Sequence, residues 1–182
     1  MSSIKKLCRA RTHDVAYTYR MGAGYPGDLV TSMPSIVEPA KVNVTTPPLL
    51  YGGGVFVDTA TNSVRQPAPG DTGLTKLYGI MVRPYPYQQQ SGGMGATIGA
   101  ATPPTSGVVD VCRAGLIMAK CTGTPTKNGP VYMWVAATSG ANVQGQFAAA
   151  NSAGNTILLA NAAFDGPPDS SGNVKVRIWE TI

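Results

Sequence analysis

Twenty-two glycines and 15 prolines are spread through these 182 residues, mostly between short apolar runs. Proline has no amide proton to give to a helix, and glycine costs a helix interior about 1 kcal/mol relative to alanine. A chain punctuated this often has little room for long helices. Short strands joined by elaborate turns suit it well. The expected class is all-β: a compact β-barrel or jelly-roll-like body with an N-terminal arm and long surface loops. The 43% hydrophobic content can fill a core, and the length fits one domain with an attached arm or insertion.

Charge divides the chain unevenly. Lys5, Lys6, Arg9, Arg11 and Arg20 stand against Asp14 alone in the first twenty positions, out of 14 basic and 9 acidic residues in all. Residues 1–25 therefore read as a basic N-terminal arm or peripheral strand, and residues 26–182 as a nearly neutral β-rich body. Such a head suits an acidic protein surface, a nucleic acid or an anionic membrane, with a solvated tail as the plainer reading. Only 13% of the chain is charged, about half the usual share. Surfaces with few charges lose little ionic hydration when covered, which favours assembly. No stretch approaches the roughly 18 apolar residues of a membrane span, and the N-terminus has no hydrophobic signal core. Cys8, Cys112 and Cys121 are too scattered for a disulfide framework, so a reducing compartment is the default.

Along the body, strands are expected at 28–31, 41–45, 54–58 and 78–83. Residues 14–20 alternate weakly and are suited to pairing with a sheet edge. Residues 84–107 show no core pattern and read as a loop excursion, with Tyr85 and Tyr87 as adhesive contacts. The segments 108–112 and 116–120 flank Arg113-Ala114-Gly115, a spacing that predicts a bulged three-residue hairpin. In that register Cys112 and Cys121 fall on opposite faces. A further strand is expected at 131–137, a helical turn at 146–151, and strands at 156–159 and 174–179. In the last, Val174, Val176 and Ile178 face the core, while Lys175, Arg177 and Trp179 face away. Trp179 is then a second-layer or interface residue.

Reactive groups are scarce. His13 is the sole histidine, and its neighbour Asp14 points to the other face of a strand, so no hydrolase relay is apparent. The cysteines lack metal-ligand spacing. Cys8, among cations, is the one with thiolate character to gain. Asp58, Asp71, Asp110, Asp165 and Asp169 are dispersed, and the stretch from Asp165 to Asp169 reads as turn chemistry rather than a calcium loop. The glycine clusters at 52–54 and 92–95 lack the lysine and helix context of a phosphate loop. The expectation is a non-enzymatic chain with no cofactor and no metal.

Several motifs carry a resemblance. Gly107-Val-Val-Asp-Val-Cys-Arg-Ala-Gly115-Leu-Ile-Met-Ala-Lys-Cys121, followed by Thr126-Lys-Asn-Gly-Pro-Val-Tyr132, resembles the glycine-bounded β units of tailed-bacteriophage capsid cement, or decoration, proteins. Ala163-Phe-Asp-Gly-Pro-Pro-Asp-Ser-Ser-Gly-Asn-Val-Lys-Val-Arg-Ile178 is similar to that family's final turn and barrel strand, and Tyr25-Pro-Gly-Asp-Leu-Val30 to its first strand. The resemblance implies a chain made in the host cytoplasm and carried on the outer capsid surface of the virion. There it would bind the major capsid protein, bridge neighbouring subunits and resist genome pressure, in company with other copies of itself as dimers or trimers. Residue type and context then nominate Lys5, Lys6, Arg9, Arg11, Arg20, Tyr85, Tyr87 and Trp179 as partner-binding. A carbohydrate-binding or host-adhesion module is the alternative. Direct nucleic-acid contact ranks below a protein partner.

Overall fold

The computed structural model describes residues 24–72, 77–84 and 102–179. Lys5, Lys6, Arg9, Arg11, Arg20, Tyr85 and Tyr87 lie outside the described residues, as do the expected strand at 14–20 and most of the 84–107 excursion. Among the described residues the structure is all-β. Its strands are β1 (Ile36–Lys41), β2 (Gly54–Asp58), β3 (Ser63–Arg65), β4 (Leu77–Met81), β5 (Val108–Thr122), β6 (Pro130–Trp134), β7 (Phe147–Ala148), β8 (Thr156–Phe164) and β9 (Asn173–Ile178).

Five strands close a barrel in the order β5, β7, β6, β8, β9 and back to β5. The β5–β7 contact is parallel and the others are antiparallel. The interior receives Ile117, Ala119 and Cys121 from β5, Val131 and Met133 from β6, Phe147, Leu159, and Val174, Val176 and Ile178 from β9. All three phenylalanines, Phe56, Phe147 and Phe164, are fully buried in this one cluster. Truncating any one of them to alanine costs about 3–5 kcal/mol.

The remaining strands form a second layer in the order β3, β2, β4, β5, with β1 on the free side of β5. One face of this layer sends Phe56, Ile80 and Cys112 into the barrel cluster. The other gathers Val42, Tyr51, Val55, Val64, Met81, Val109 and Val111 into a core of its own. A parallel bridge between Val42 and Val64 brings the chain just after β1 back to β3, nearly closing this layer as well. Pro39 falls inside β1, where proline is tolerated only on an edge. The amide of Val42 donates to Gly107, and alternation along the ladder then turns the Pro39 nitrogen away from β5, so no ladder bond is lost.

The expected hairpin at 108–120 is not formed. β5 is one continuous strand of 15 residues. Its first half pairs with β1 and β4, its second half with β9 and β7. The Arg113-Ala114-Gly115 segment bends the strand without reversing it. Gly115 takes φ +135°, and the register against β1 slips here, with Ile36 opposite Ala114 but Val37 opposite Cys112. A bulge of this kind adds one residue and inverts the alternation beyond it. Cys112 and Cys121 therefore point into the same core rather than to opposite faces. Nine positions along one strand, at roughly 3.3 Å each, still keep the two thiols too far apart to bridge.

Other expectations shift for tertiary reasons. The strand expected at 41–45 lies earlier, as Ile36–Lys41, because β5 supplies its partner there. The segment 28–31 makes only the isolated Leu29–Ile117 bridge, and its backbone covers the outer edge of β5. The helical turn expected at 146–151 is instead the two-residue strand β7, wedged between β5 and β6.

Candidate interaction surface

Several described carboxylates are occupied in holding turns and edges. Asp71, nearly buried, takes both guanidinium nitrogens of Arg65 at 2.9 and 2.8 Å and the Ala68 amide at 2.7 Å. That fork holds the Arg65 guanidinium above its ordinary value, against the opposing cost of burial. Asp165 pairs with Arg177. Asp169 accepts the amides of Ser171 and Asn173, closing the turn before β9 as the sequence suggests. Asp58 caps its own turn through Thr61 and Ala60, and these bonds lower its pKa. The carboxylates do not converge. Among the described residues no three His, Cys, Asp or Glu side chains group as metal ligands.

Burial pushes the Cys112 thiol up to about 11 and the Cys121 thiol to about 12. Both are free and buried, so they act as small apolar fillers rather than nucleophiles. Across the second layer, Glu38 of β1 accepts from the Tyr78 hydroxyl at 2.8 Å and from Arg113 at 3.1 Å, while Arg113 stacks over the Tyr78 ring at 4.1 Å. Burial raises the Tyr78 pKa, the bond to Glu38 adds to the rise, and Arg113 opposes it. The cluster ties β1, β4 and β5 together from outside.

What the surface offers is contact. Trp179 follows β9 and is 43% exposed, on the polar side of the strand as the alternation requires. Its amide donates to Asn161, whose side-chain amide donates back to the Trp179 carbonyl at 3.0 Å. β8 and β6 pair Tyr132 with Leu158 and Trp134 with the buried Thr156. Leu158 is 52% exposed. All three phenylalanines are buried, whereas Trp179 is exposed and Trp134 half-buried.

The sequence carries one further signal on this side of the barrel. From 128 to 164 the chain contains no Asp, Glu, Lys, Arg or His, and this run builds β6, β7 and β8 side by side. The nominated residues emphasised charge and isolated aromatics; the absence of charge is equally informative.

A second surface feature lies at the opposite end of the covering segment. Arg83 stacks over the Tyr25 ring at 4.7 Å, and its amide donates to Gly27 at 2.9 Å. Tyr25 is more than half exposed. The basic arm joins the body immediately before Tyr25, and Tyr85 and Tyr87 immediately follow Pro84.

Among the described residues no helix is long and apolar enough to cross a membrane. In fold the chain is similar to a chain of the structure titled "The capsid of Myoviridae Phage XM1", with a TM-score of 0.62 at 17% identity, covering 92% of this chain and 97% of that one. No match is found among curated proteins. The family model described as XM1 gp53 minor capsid protein matches residues 15–178. A match of that extent places the chain in the XM1 gp53 minor capsid protein family, as a structural, capsid-associated protein of a phage.

Proposed function

We propose that this chain is a capsid cement protein, which binds the outer surface of the major capsid protein lattice, bridges neighbouring subunits and stabilises the filled shell against internal genome pressure. The observation that carries the reading is the family match over residues 15–178. The molecule's physical make-up agrees with it. A nearly neutral barrel bears a basic arm, with Lys5, Lys6, Arg9, Arg11 and Arg20, suited to an acidic protein surface. Tyr25 and Arg83, described residues next to the arm and to Tyr85, stack on each other. Trp179 supplies an exposed aromatic on the barrel. Modest contacts of this kind, repeated over a lattice, combine into firm attachment.

The test is to compare particles that carry the chain with particles that lack it. Cement predicts regular occupancy over the whole shell and DNA release at a lower temperature when the chain is absent. Unchanged DNA release after its complete loss rejects the role. Saturable glycan binding by particles, lost with the chain, would instead favour host adhesion.

A further inference from the structure

We propose that Pro39 guards the open edge of β1, where the second layer would otherwise accept a strand from another chain. Among the described residues β1 is paired along one side only, against β5, with Pro39 opposite Asp110. The amide of Val42 donates to Gly107 and that of Val82 to Asp110, so Asp110 turns its backbone toward β4 while residues 38 and 40 turn theirs toward β5. The backbone groups of Val37, Pro39 and Lys41 then point to the open side. Val37 adjoins the register slip at Ile36, and Lys41 adjoins the Val42–Val64 bridge, where the chain meets β3. Pro39 holds the central one of these three positions.

Without that proline the edge has what an incoming strand needs. Ile36 and Val37 are branched, strand-favouring and exposed, and Val108, opposite Lys41, is 68% exposed. Glu38 leaves no free charge to repel a newcomer, because its carboxylate is taken by Tyr78 and Arg113. An antiparallel partner bonds to every second residue of an edge, through both its N–H and its C=O. At Pro39 the N–H is absent, and the ring stands where the partner's carbonyl would come. The positions left, Val37 and Lys41, lie about 13 Å apart, twice the repeat of a ladder. The exposed Lys41 adds a charge at the far end, the other common device on strand edges. Because the Pro39 nitrogen faces away from β5, the block costs β1 no bond of its own. The proposal is independent of the cement reading, because it concerns the purified chain.

Pro39→Thr in the full-length chain restores an amide at this position. Circular dichroism and urea unfolding should show a fold like the parent's. Hydrogen exchange should find the new amide at position 39 open to solvent and that of Ala40 protected. Soluble protein, followed by light scattering and thioflavin fluorescence, should be lost at least about tenfold faster than for the parent, the scale of one regained hydrogen bond. Pro39→Ala, which restores the amide without the branched side chain, should shift in the same direction. Pro167→Thr, at an exposed proline outside the strands, should behave like the parent. Adding Val37→Lys to Pro39→Thr should bring solubility back. A folded Pro39→Thr chain as soluble as the parent, equal losses from Pro167→Thr, or slow exchange at position 39 in the soluble chain would each overturn the proposal. Failure of both position-39 variants to fold would make Pro39 a requirement of the fold rather than a guard, and would overturn it too.

Discussion

Ser35 stands against the bend of β5: a Cβ added at Gly115 would lie 2.7 Å from the Ser35 Cβ and 3.0 Å from its Cα. The same glycine takes φ +135°, a backbone conformation that side chains rarely adopt. At this point β5 leaves its pairing with β1 and enters the barrel beside β9. Gly115→Ala should therefore destabilise the fold by about 2–4 kcal/mol, from backbone strain and overpacking together. Urea denaturation measures it. A loss below about 0.5 kcal/mol would mean that the bend does not depend on glycine.

The Arg65–Asp71 fork is the most buried ion pair among the described residues, with side-chain exposures of 19% and 5%. Asp71→Ala leaves a guanidinium with little water to replace its partner and frees the Ala68 amide. The expected cost is about 3 kcal/mol. Arg65→Lys keeps the charge but cannot make the two-pronged contact, so it should fall between the parent and Asp71→Ala. Thermal or urea unfolding of the two variants gives the order.

Alkali should loosen the barrel before it breaks any covalent bond. A thiol at about 11 or 12 in the folded chain and near 9 when unfolded holds its proton more tightly in the native state. That contribution is complete below the unfolded value and is lost as pH rises from about 9 through the folded values, by up to about 1.4 kcal/mol per pH unit for each thiol. The raised Tyr78 pKa acts with the same sign. Urea midpoints should hold steady from pH 7 to 8.5 and then fall. Cys121→Ala should flatten the decline, after allowing for its lower starting stability. At neutral pH, a thiol reagent should reach Cys112 and Cys121 only at the rate of unfolding.

Removal of residues 2–20 takes away Lys5, Lys6, Arg9, Arg11 and Arg20 with most of the net charge. Under the cement reading, occupancy on particles should fall and become less sensitive to salt, while the melting of the isolated body stays within a few degrees of the parent. Equal occupancy by the truncated and intact chains would move the attachment site elsewhere.

Trp179→Ala removes an exposed ring while leaving the backbone bonds to Asn161 available. Its effect on stability should stay below about 1 kcal/mol, whereas a contact role should cost about 1–2 kcal/mol in binding to particles. Unfolding of the free chain and a particle-binding titration separate the two.

Local chemistry written along the chain was enough for the β class, the turn closed by Asp169 and the facing of the last strand. Glycine, proline and short alternating runs act within a few residues, and Val174, Val176 and Ile178 are buried as their spacing dictates. The path through Arg113-Ala114-Gly115 was different. A glycine there serves a three-residue hairpin and a bulged bend equally well, and the choice rests with partners distant in sequence. β1 and β9 each gain a full ladder on a continuous β5, which a hairpin would forfeit. That bulge turned Cys112 and Cys121 into one core, and Phe147 became a strand because β5 and β6 stood on either side of it. The uncharged run shows the same division: its composition is local, but only the closing of the barrel set β7, β6 and β8 side by side.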